Sequence, residues 1–435
     1  MSNSKFMHDD LHRRRFMAKA AGSLLGVGLM PGVISNAQAA GAKASKVPPR
    51  KNPAKNIIYL YMSGGMSHLD TFNPRPDADA KIRGDVKAIK TKADGILLSE
   101  YLPKLADHTD KMAIIRSMTS KTGAHQQGQY MMRTSYALRS TIRHPHLAAW
   151  NLKYKGRGND TLPGFVCVNG SSRQVGAGFF DSTHSPLVIG KPEEGLTDIA
   201  HFSKVSEDQF HARRNMSLDL DKEFRARYDD KRISAYTAMY DDAVKLMHSE
   251  DLAAFDLTEE SKEVRDRYGD NSMGQGCLLA RRLLQRGVNS VEVRMGSWDT
   301  HVENFDRVSK QAATLDAAFS ALLADLQSHG LLDETIVVLA TEFGRTPDIN
   351  VNTGRDHYPQ CFTTAIAGGG IKGGTLYGDC DVNGKEVTEN PLGIEDFNAT
   401  VAYGLGLPLA QVLYSPSMRP FTVAHNGQPV TSLFS

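Results

Sequence analysis

Cysteine is scarce. The four present, Cys167, Cys277, Cys361 and Cys380, show no C-x-x-C spacing. That argues against a thiolate zinc cluster or a dithiol redox motif and leaves any disulfide pairing undetermined. A surplus of one charge is missing too: 51 Lys and Arg stand against 49 Asp and Glu. No basic domain marks a nucleic-acid binder. The weakly apolar stretch from Ala18 to Val33 is broken by Gly22, Gly26 and Gly28 and falls short of the roughly 20 apolar residues that span a membrane. No internal repeat is visible, and no low-complexity segment follows residue 53. The glycine run from Gly368 to Gly374 lacks the Gly-Lys-Ser/Thr ending of a phosphate loop. Without a strand–turn–helix setting it gives little support to a nucleotide or redox enzyme, and it reads as a hairpin-like turn at a sheet edge.

What is present begins with an export pattern. Arg13-Arg14-Arg15-Phe16-Met17 precedes the short apolar stretch, and Ala37-Gln38-Ala39 follows it. A basic region, an apolar region and an A-x-A site predict a signal peptide over residues 1–39, of the twin-arginine kind. The expected location is periplasmic or secreted, with the twin-arginine translocase as a partner during export and no stable membrane span. Residues 40–54, rich in Lys, Ala and Pro, read as a flexible leader. Residues 55–435 read as a single domain with a charged helical insertion at about 206–268.

Strand-like runs and helical patterns then alternate. Asn56–Met62, Met112–Met118, Phe165–Val168, Asn289–Met295, Ile336–Ala340 and Phe362–Ala367 are apolar, β-branched runs. Gln129–Leu138, Gly274–Arg286, Phe305–Gly330 and Asp396–Leu405 have helical character. Strands buried on both faces and joined by helices predict an α/β fold with a mostly parallel sheet. In such sheets ligands bind beyond the carboxyl ends of the strands. Polar residues gather there. Asp70 follows the first run, and Thr122 and His125 follow the second. Asp299 and His301 follow Met295, and Glu342 and Arg345 follow Ala340; Arg355, Asp356 and His357 come next. These carboxylates and imidazoles suffice for one or two divalent cations, and an arginine could hold an anion. A site of this kind suits ester hydrolysis, in which a metal activates water or clamps phosphoryl or sulfuryl oxygens.

Five motifs carry a resemblance. Ser63-Gly-Gly-Met-Ser-His-Leu-Asp-Thr-Phe72, Cys277-Leu-Leu-Ala-Arg-Arg282, Trp298-Asp-Thr-His301, Glu342-Phe-Gly-Arg-Thr-Pro347 and Gly354-Arg-Asp-His-Tyr-Pro359 resemble domain-of-unknown-function family 1501. That family belongs to the alkaline phosphatase and sulfatase superfamily. The resemblance implies a three-layer α/β/α sandwich, a metal site at the sheet's carboxyl edge, and a phosphate or sulfate ester of a small molecule or polysaccharide as substrate. The divalent ion could be zinc, calcium or magnesium. By position, Asp70, Asp299, His301, Glu342 and His357 would hold metal, with Asp356 orienting His357. Arg345 or Arg355 would hold the anion. Two departures stand out. Phe343 occupies the place of a superfamily histidine, which points to one metal more than two. No cysteine has the sulfatase setting, since Cys277 is followed by Leu278 and Leu279. Thr122 as a metal-activated alkoxide, or His125 as nucleophile or general acid, are the alternatives. A non-catalytic exported binding or assembly protein that keeps the fold is the competing reading.

Overall fold

The computed structural model describes residues 47–170, 176–197, 206–227 and 231–435. The predicted signal peptide and the first part of the leader lie outside the described residues. Within the rest of the leader, Arg50 donates to the carbonyl oxygens of Gly369 (2.5 Å) and Gly370 (3.2 Å) and stacks over Phe434. This stretch is therefore docked on the domain where a free leader was expected.

The central sheet has nine strands. They are β1 (Asn56–Met62), β2 (Met112–Thr119), β3 (Phe165–Val168), β4 (Leu187–Ile189), β5 (Ser290–Met295), β6 (Thr335–Ala340), β7 (Phe362–Gly368), β8 (Thr375–Tyr377) and β9 (Leu392–Gly393). Their order is β8-β2-β7-β6-β1-β5-β3-β4, with β9 also on β2. Every pairing is parallel except those of β7, which runs against both β2 and β6. The glycine run after β7 is not a hairpin turn between neighbours, because β8 pairs with the far side of β2.

The continuous apolar runs have a simple cause: both faces of the sheet are covered. Ile58, Leu60 and Met62 of β1 face one core, together with α6 (Ser272–Gln285) and α7 (Asn304–Ser328). Ile57, Tyr59 and Tyr61 face the other, together with α1 (His125–Thr134), α2 (Leu147–Lys155) and α8 (Ile394–Gly404). The result is the three-layer α/β/α sandwich. The insertion contributes α3 (Glu207–Arg227), α4 (Lys231–Met247) and α5 (Lys262–Tyr268). Among the described residues no helix is long and apolar enough to cross a membrane.

Helix α1 starts at His125, four residues before the sequence-based boundary. Gly128 of this helix packs close to the β6 end, where an added Cβ would stand 3.1 Å from Glu342 Cβ. A buried charge cluster holds α1 in place. Glu292 of β5 accepts from Arg133 Nε (3.0 Å) and Nη2 (2.7 Å), and His146 Nε2 lies 2.8 Å away. Burial penalises this carboxylate, but Arg133 and then His146 outweigh that and bring its pKa down to about 2. The Arg133 guanidinium also lies 3.7 Å from the Tyr61 ring. The helix start that carries His125 is thus fixed to the sheet beneath it.

Candidate metal centre

Four loops meet at the carboxyl ends of β1, β2, β5 and β6. The last runs on to β7 and folds on itself in a two-residue ribbon that pairs His357 with Arg345 and Tyr358 with Gly344. The β1 loop packs tightly on the β5 loop. Gly64 has φ +123°, and a Cβ there would stand 2.5 Å from the Asp299 nitrogen. This glycine serves the close approach of one loop to another.

Three histidines surround Asp299. His125 Nδ1 lies 2.8 Å from Glu342 Oε1, His301 Nδ1 2.6 Å from Asp356 Oδ1, and His357 Nδ1 2.7 Å from the Gly123 carbonyl oxygen. A carbonyl or carboxylate oxygen only accepts, so each Nδ1 carries the proton. In the neutral rings each Nε2 then presents a lone pair. All three Nε2 atoms face one carboxylate: His125 at 3.3 Å from Asp299 Oδ2, His301 at 3.0 Å and His357 at 3.2 Å from Oδ1. The Nε2 atoms of His301 and His357 are 3.0 Å apart. His125 Nε2 is buried and has no hydrogen-bond partner among the described residues.

Converging lone pairs around a carboxylate repel one another unless a positive charge lies among them. The donor set fits a metal ion. Ligand atoms of His125, Asp299 and His357 all lie within 4.8 Å of one another, and ligands about 2 Å from a tetrahedral zinc stand roughly 3.3 Å apart. Imidazole nitrogens favour zinc or another transition metal over calcium and magnesium, which prefer all-oxygen shells. Each imidazole also has the outer acceptor that orients metal-bound histidines.

The electrostatics follow the same geometry. The Glu342 hydrogen bond raises the pKa of His125, with burial opposing it. Burial lowers that of His357, opposed by the adjacent Asp299 carboxylate, which favours the protonated ring. Burial raises the Asp299 carboxyl, but the hydrogen bond and charge of Arg345 more than offset this and hold it well below the usual carboxylate range. Phe343 lies under the cluster, its ring centroid 5.0 Å from that of His125 and 4.7 Å from that of His357.

The structure brings together His125, Asp299, His301 and His357 and gives the other sequence-predicted residues different places. Glu342 is fully buried. Its carboxylate accepts from Tyr61 Oη (2.8 Å), the Gly64 nitrogen (2.8 Å) and Gln129 Nε2 (3.3 Å) besides meeting His125. It orients His125. Asp356 orients His301, where His357 was expected. Asp70 sits away from the cluster in its own network. Arg355 Nε (2.8 Å) and Nη2 (3.0 Å), Asn304 Nδ2 (2.8 Å) and Ser67 Oγ (2.6 Å) all donate to it. Arg355 spends its remaining donors on the carbonyls of Ile82, Thr346 and Pro347. Arg345 donates to the carbonyls of Gly64, Gly65 and Arg355 and to Asp299. Both arginines are completely buried and engaged, so neither is free to hold a substrate anion. Thr122 Oγ1 accepts from the Ala124 nitrogen at 3.1 Å in a local turn.

Three arginines that the sequence did not single out line a cavity of about 720 Å³ beside His125; one, Arg133, is engaged by Glu292. Arg143 and Arg294 border it with Gln129, His144 and Ser185, and no carboxylate is among its described lining. Arg294 Nη2 also donates to Ser63 Oγ at 3.0 Å. Its position at the end of β5, five residues before Asp299, was the available signal. Arg143 offered none.

A family model described as "Protein of unknown function (DUF1501)" matches residues 54–434. No curated protein matches the chain. Among solved structures, the PsFucS1 sulfatase from Pseudoalteromonas sp. is similar at 12% identity and TM-score 0.41, over 86% of this chain and 73% of that one. The phosphonate monoester hydrolase SpPMH from Silicibacter pomeroyi is similar at 10% identity and TM-score 0.37, over 87% and 76%. A protein of the alkaline phosphatase superfamily from Vibrio parahaemolyticus is similar at 10% identity and TM-score 0.38, over 87% and 72%. Likenesses this distant do not bear on the chemistry of the site.

Proposed function

We propose that this chain, which belongs to the DUF1501 family, is an exported hydrolase of a phosphate or sulfate ester, dependent on one zinc-like metal ion. The observation that carries the reading is the convergence of the Nε2 atoms of three histidines on Asp299, each imidazole fixed from behind by its own acceptor. His125, Asp299, His301 and His357 would hold the ion. When bound it would supply an activated water and a Lewis acid for the ester oxygen. Arg143 and Arg294, beside the cluster, suit the anionic part of a small-molecule or polysaccharide ester. Export rests on the paired arginines and the A-x-A site of the first 39 residues.

One observation favours the second reading, a non-catalytic binding or assembly protein. Among the described residues, no Ser, Thr or Cys side chain hydrogen-bonds to the four cluster residues. The hydrolase reading therefore uses water as the nucleophile.

Chelator-treated protein should be tested on phosphate monoesters, phosphate diesters and sulfate esters with zinc, magnesium or calcium added. The reading expects hydrolysis restored best by zinc and abolished by Asp299→Ala. Activity that survives both Asp299→Ala and His301→Ala would sink it. Stoichiometric metal without turnover of any ester class would favour the second reading.

A further inference from the structure

We infer that the two cavities bordering Arg294 are successive subsites for one anionic glycan chain, so that the ester is carried by an oligosaccharide or polysaccharide rather than by a small molecule. The first is the cavity of about 720 Å³ beside His125. The second, of about 510 Å³, lies over the carboxyl end of β5 and the start of α6. Arg294 borders both, and their described linings share no other residue. His125 lines the first, and Ser297, two residues before Asp299, lines the second. Both cavities therefore adjoin the candidate metal centre, each through a different loop.

The side chains of the second cavity identify the ligand. Asn169, Asn271, Ser272, Ser297, Gln311 and Thr314 line it, and no carboxylate or aromatic ring is among its described lining. Amides and hydroxyls offer both donors and acceptors, which is what a sugar hydroxyl needs, since it donates and accepts at once. Ser272, Ser297 and Gln311 spend no side-chain hydrogen bond on the described residues. The frame around them is fixed. Asn169 Nδ2 donates to the carbonyls of Ser272 (2.9 Å) and Arg294 (3.2 Å), and Asn271 Oδ1 accepts from the Gly274 nitrogen at 2.8 Å. Little order is lost when a ligand enters a frame already set. A lipid or other apolar group would want a mostly apolar wall, and here Met273 and Met295 are the large apolar members of the described lining.

The first cavity adds the charge. Gln126 and Ser185 continue the neutral lining, and Arg143 and Arg294 supply guanidinium groups for sulfate, phosphate or carboxylate. Arg294 is held at the junction: its Nη2 donates to Ser63 Oγ at 3.0 Å, and the same oxygen accepts from Gln129 Nε2 at 3.1 Å. A single-stranded nucleic acid is also an anionic chain, but its binding sites stack bases on aromatic rings. Tyr130 of the first cavity is buried with its Oη 2.8 Å from His144 Nδ1, and the second cavity offers no ring. The inference rests on the hydrolase reading for the ester and on the two cavities for the chain that bears it.

The test is calorimetric titration of the purified full chain with chondroitin sulfate di-, tetra-, hexa- and octasaccharides, with chelator present so that binding is read without turnover. The expected Kd falls by roughly tenfold or more from disaccharide to hexasaccharide, as the second cavity fills, and then levels off. Gln311→Ala, on the surface of α7 and outside the metal cluster, should weaken the hexasaccharide by about fivefold and leave the disaccharide unchanged. Arg294→Gln should weaken every length. Equal affinity for disaccharide and hexasaccharide, an equal loss at both lengths in Gln311→Ala, no binding at any length, or an oligothymidylate of matched charge bound as tightly as the hexasaccharide would overturn the inference. Length-dependent binding beside a zinc-loaded protein that hydrolyses no ester would uphold the subsites and remove the hydrolase reading alone.

Discussion

Asp70 and Asp299 both follow parallel strands of one sheet, and both meet a buried arginine. The likeness ends there. Around Asp70 every neighbour donates: Arg355 twice, Asn304 once and Ser67 once, and the carboxylate is fully buried. Around Asp299 one neighbour donates in every protonation state, Arg345, and the other three, as neutral rings, present lone pairs. The first carboxylate is satisfied and has nothing left for a ligand. The second is under-compensated and partly exposed. A pairing of acid and base close to a strand end therefore says little by itself; the protonation forced on the neighbours decides whether the group builds the fold or binds a ligand.

The strongest way to break the comparison is to remove a member of the cluster. Asp299→Ala and His357→Ala should each lower metal affinity by more than the roughly 10–100-fold that follows loss of an outer partner, with little change in chelated stability. Competition against a chromophoric chelator measures this. Asp70→Asn should do the reverse. Leaving Arg355 buried without its charge partner should cost about 3–5 kcal/mol in denaturant unfolding, while metal stoichiometry in the folded fraction stays at one.

Glu342→Gln falls between the two, because Glu342 is buried like Asp70 yet serves a ligand. Metal affinity should fall by about 10–100-fold. The metal-free protein adds a pH signature. Glu342 is held below its ordinary value of 4.5: burial opposes this, but hydrogen bonds from His125 and Tyr61 outweigh it. Its contribution to stability is present above about pH 4.5 and is lost as pH falls through the folded pKa. His125 is raised above 6.5, so its contribution is present below about pH 6.5 and lost as pH rises through its folded pKa. The pair should stabilise the chelated protein most between those values, and Glu342→Gln should flatten both limbs of the melting temperature against pH. The smallest effect belongs to Thr122→Ala. It removes one turn hydrogen bond, so stability should change by about 1 kcal/mol or less. Ester hydrolysis under saturating zinc should be unchanged; its loss would return Thr122 to the role of nucleophile.

Much of the architecture was legible because burial on both faces leaves a plain signature. Asn56–Met62 and Phe165–Val168 could be read as strands from composition alone. Their parallel arrangement made the residues just beyond them the place to look, and Asp299, His301 and His357 do meet there. What the sequence concealed was pairing across long separations. Nothing local shows that Asp70 is met by Arg355, or that Glu292, inside a run that reads as an ordinary strand, is neutralised by Arg133 and His146. Nor does it show that Glu342 and Asp356 stand behind histidines. A carboxylate that binds a cation and one that orients an imidazole have the same letter and the same spacing. Nor does the sequence show why Gly128 lies inside α1, where its missing side chain lets the helix press against Glu342.

The most direct test of the central claim is calorimetric titration of chelator-treated, refolding-competent protein with zinc, run beside Asp299→Ala, His357→Ala and Asp70→Asn. One ion should bind to the native chain and to the folded Asp70→Asn variant, and binding should be lost in the other two. Failure of the native chain to bind zinc, or binding that persists in both Asp299→Ala and His357→Ala, would contradict a metal centre built on His125, Asp299, His301 and His357.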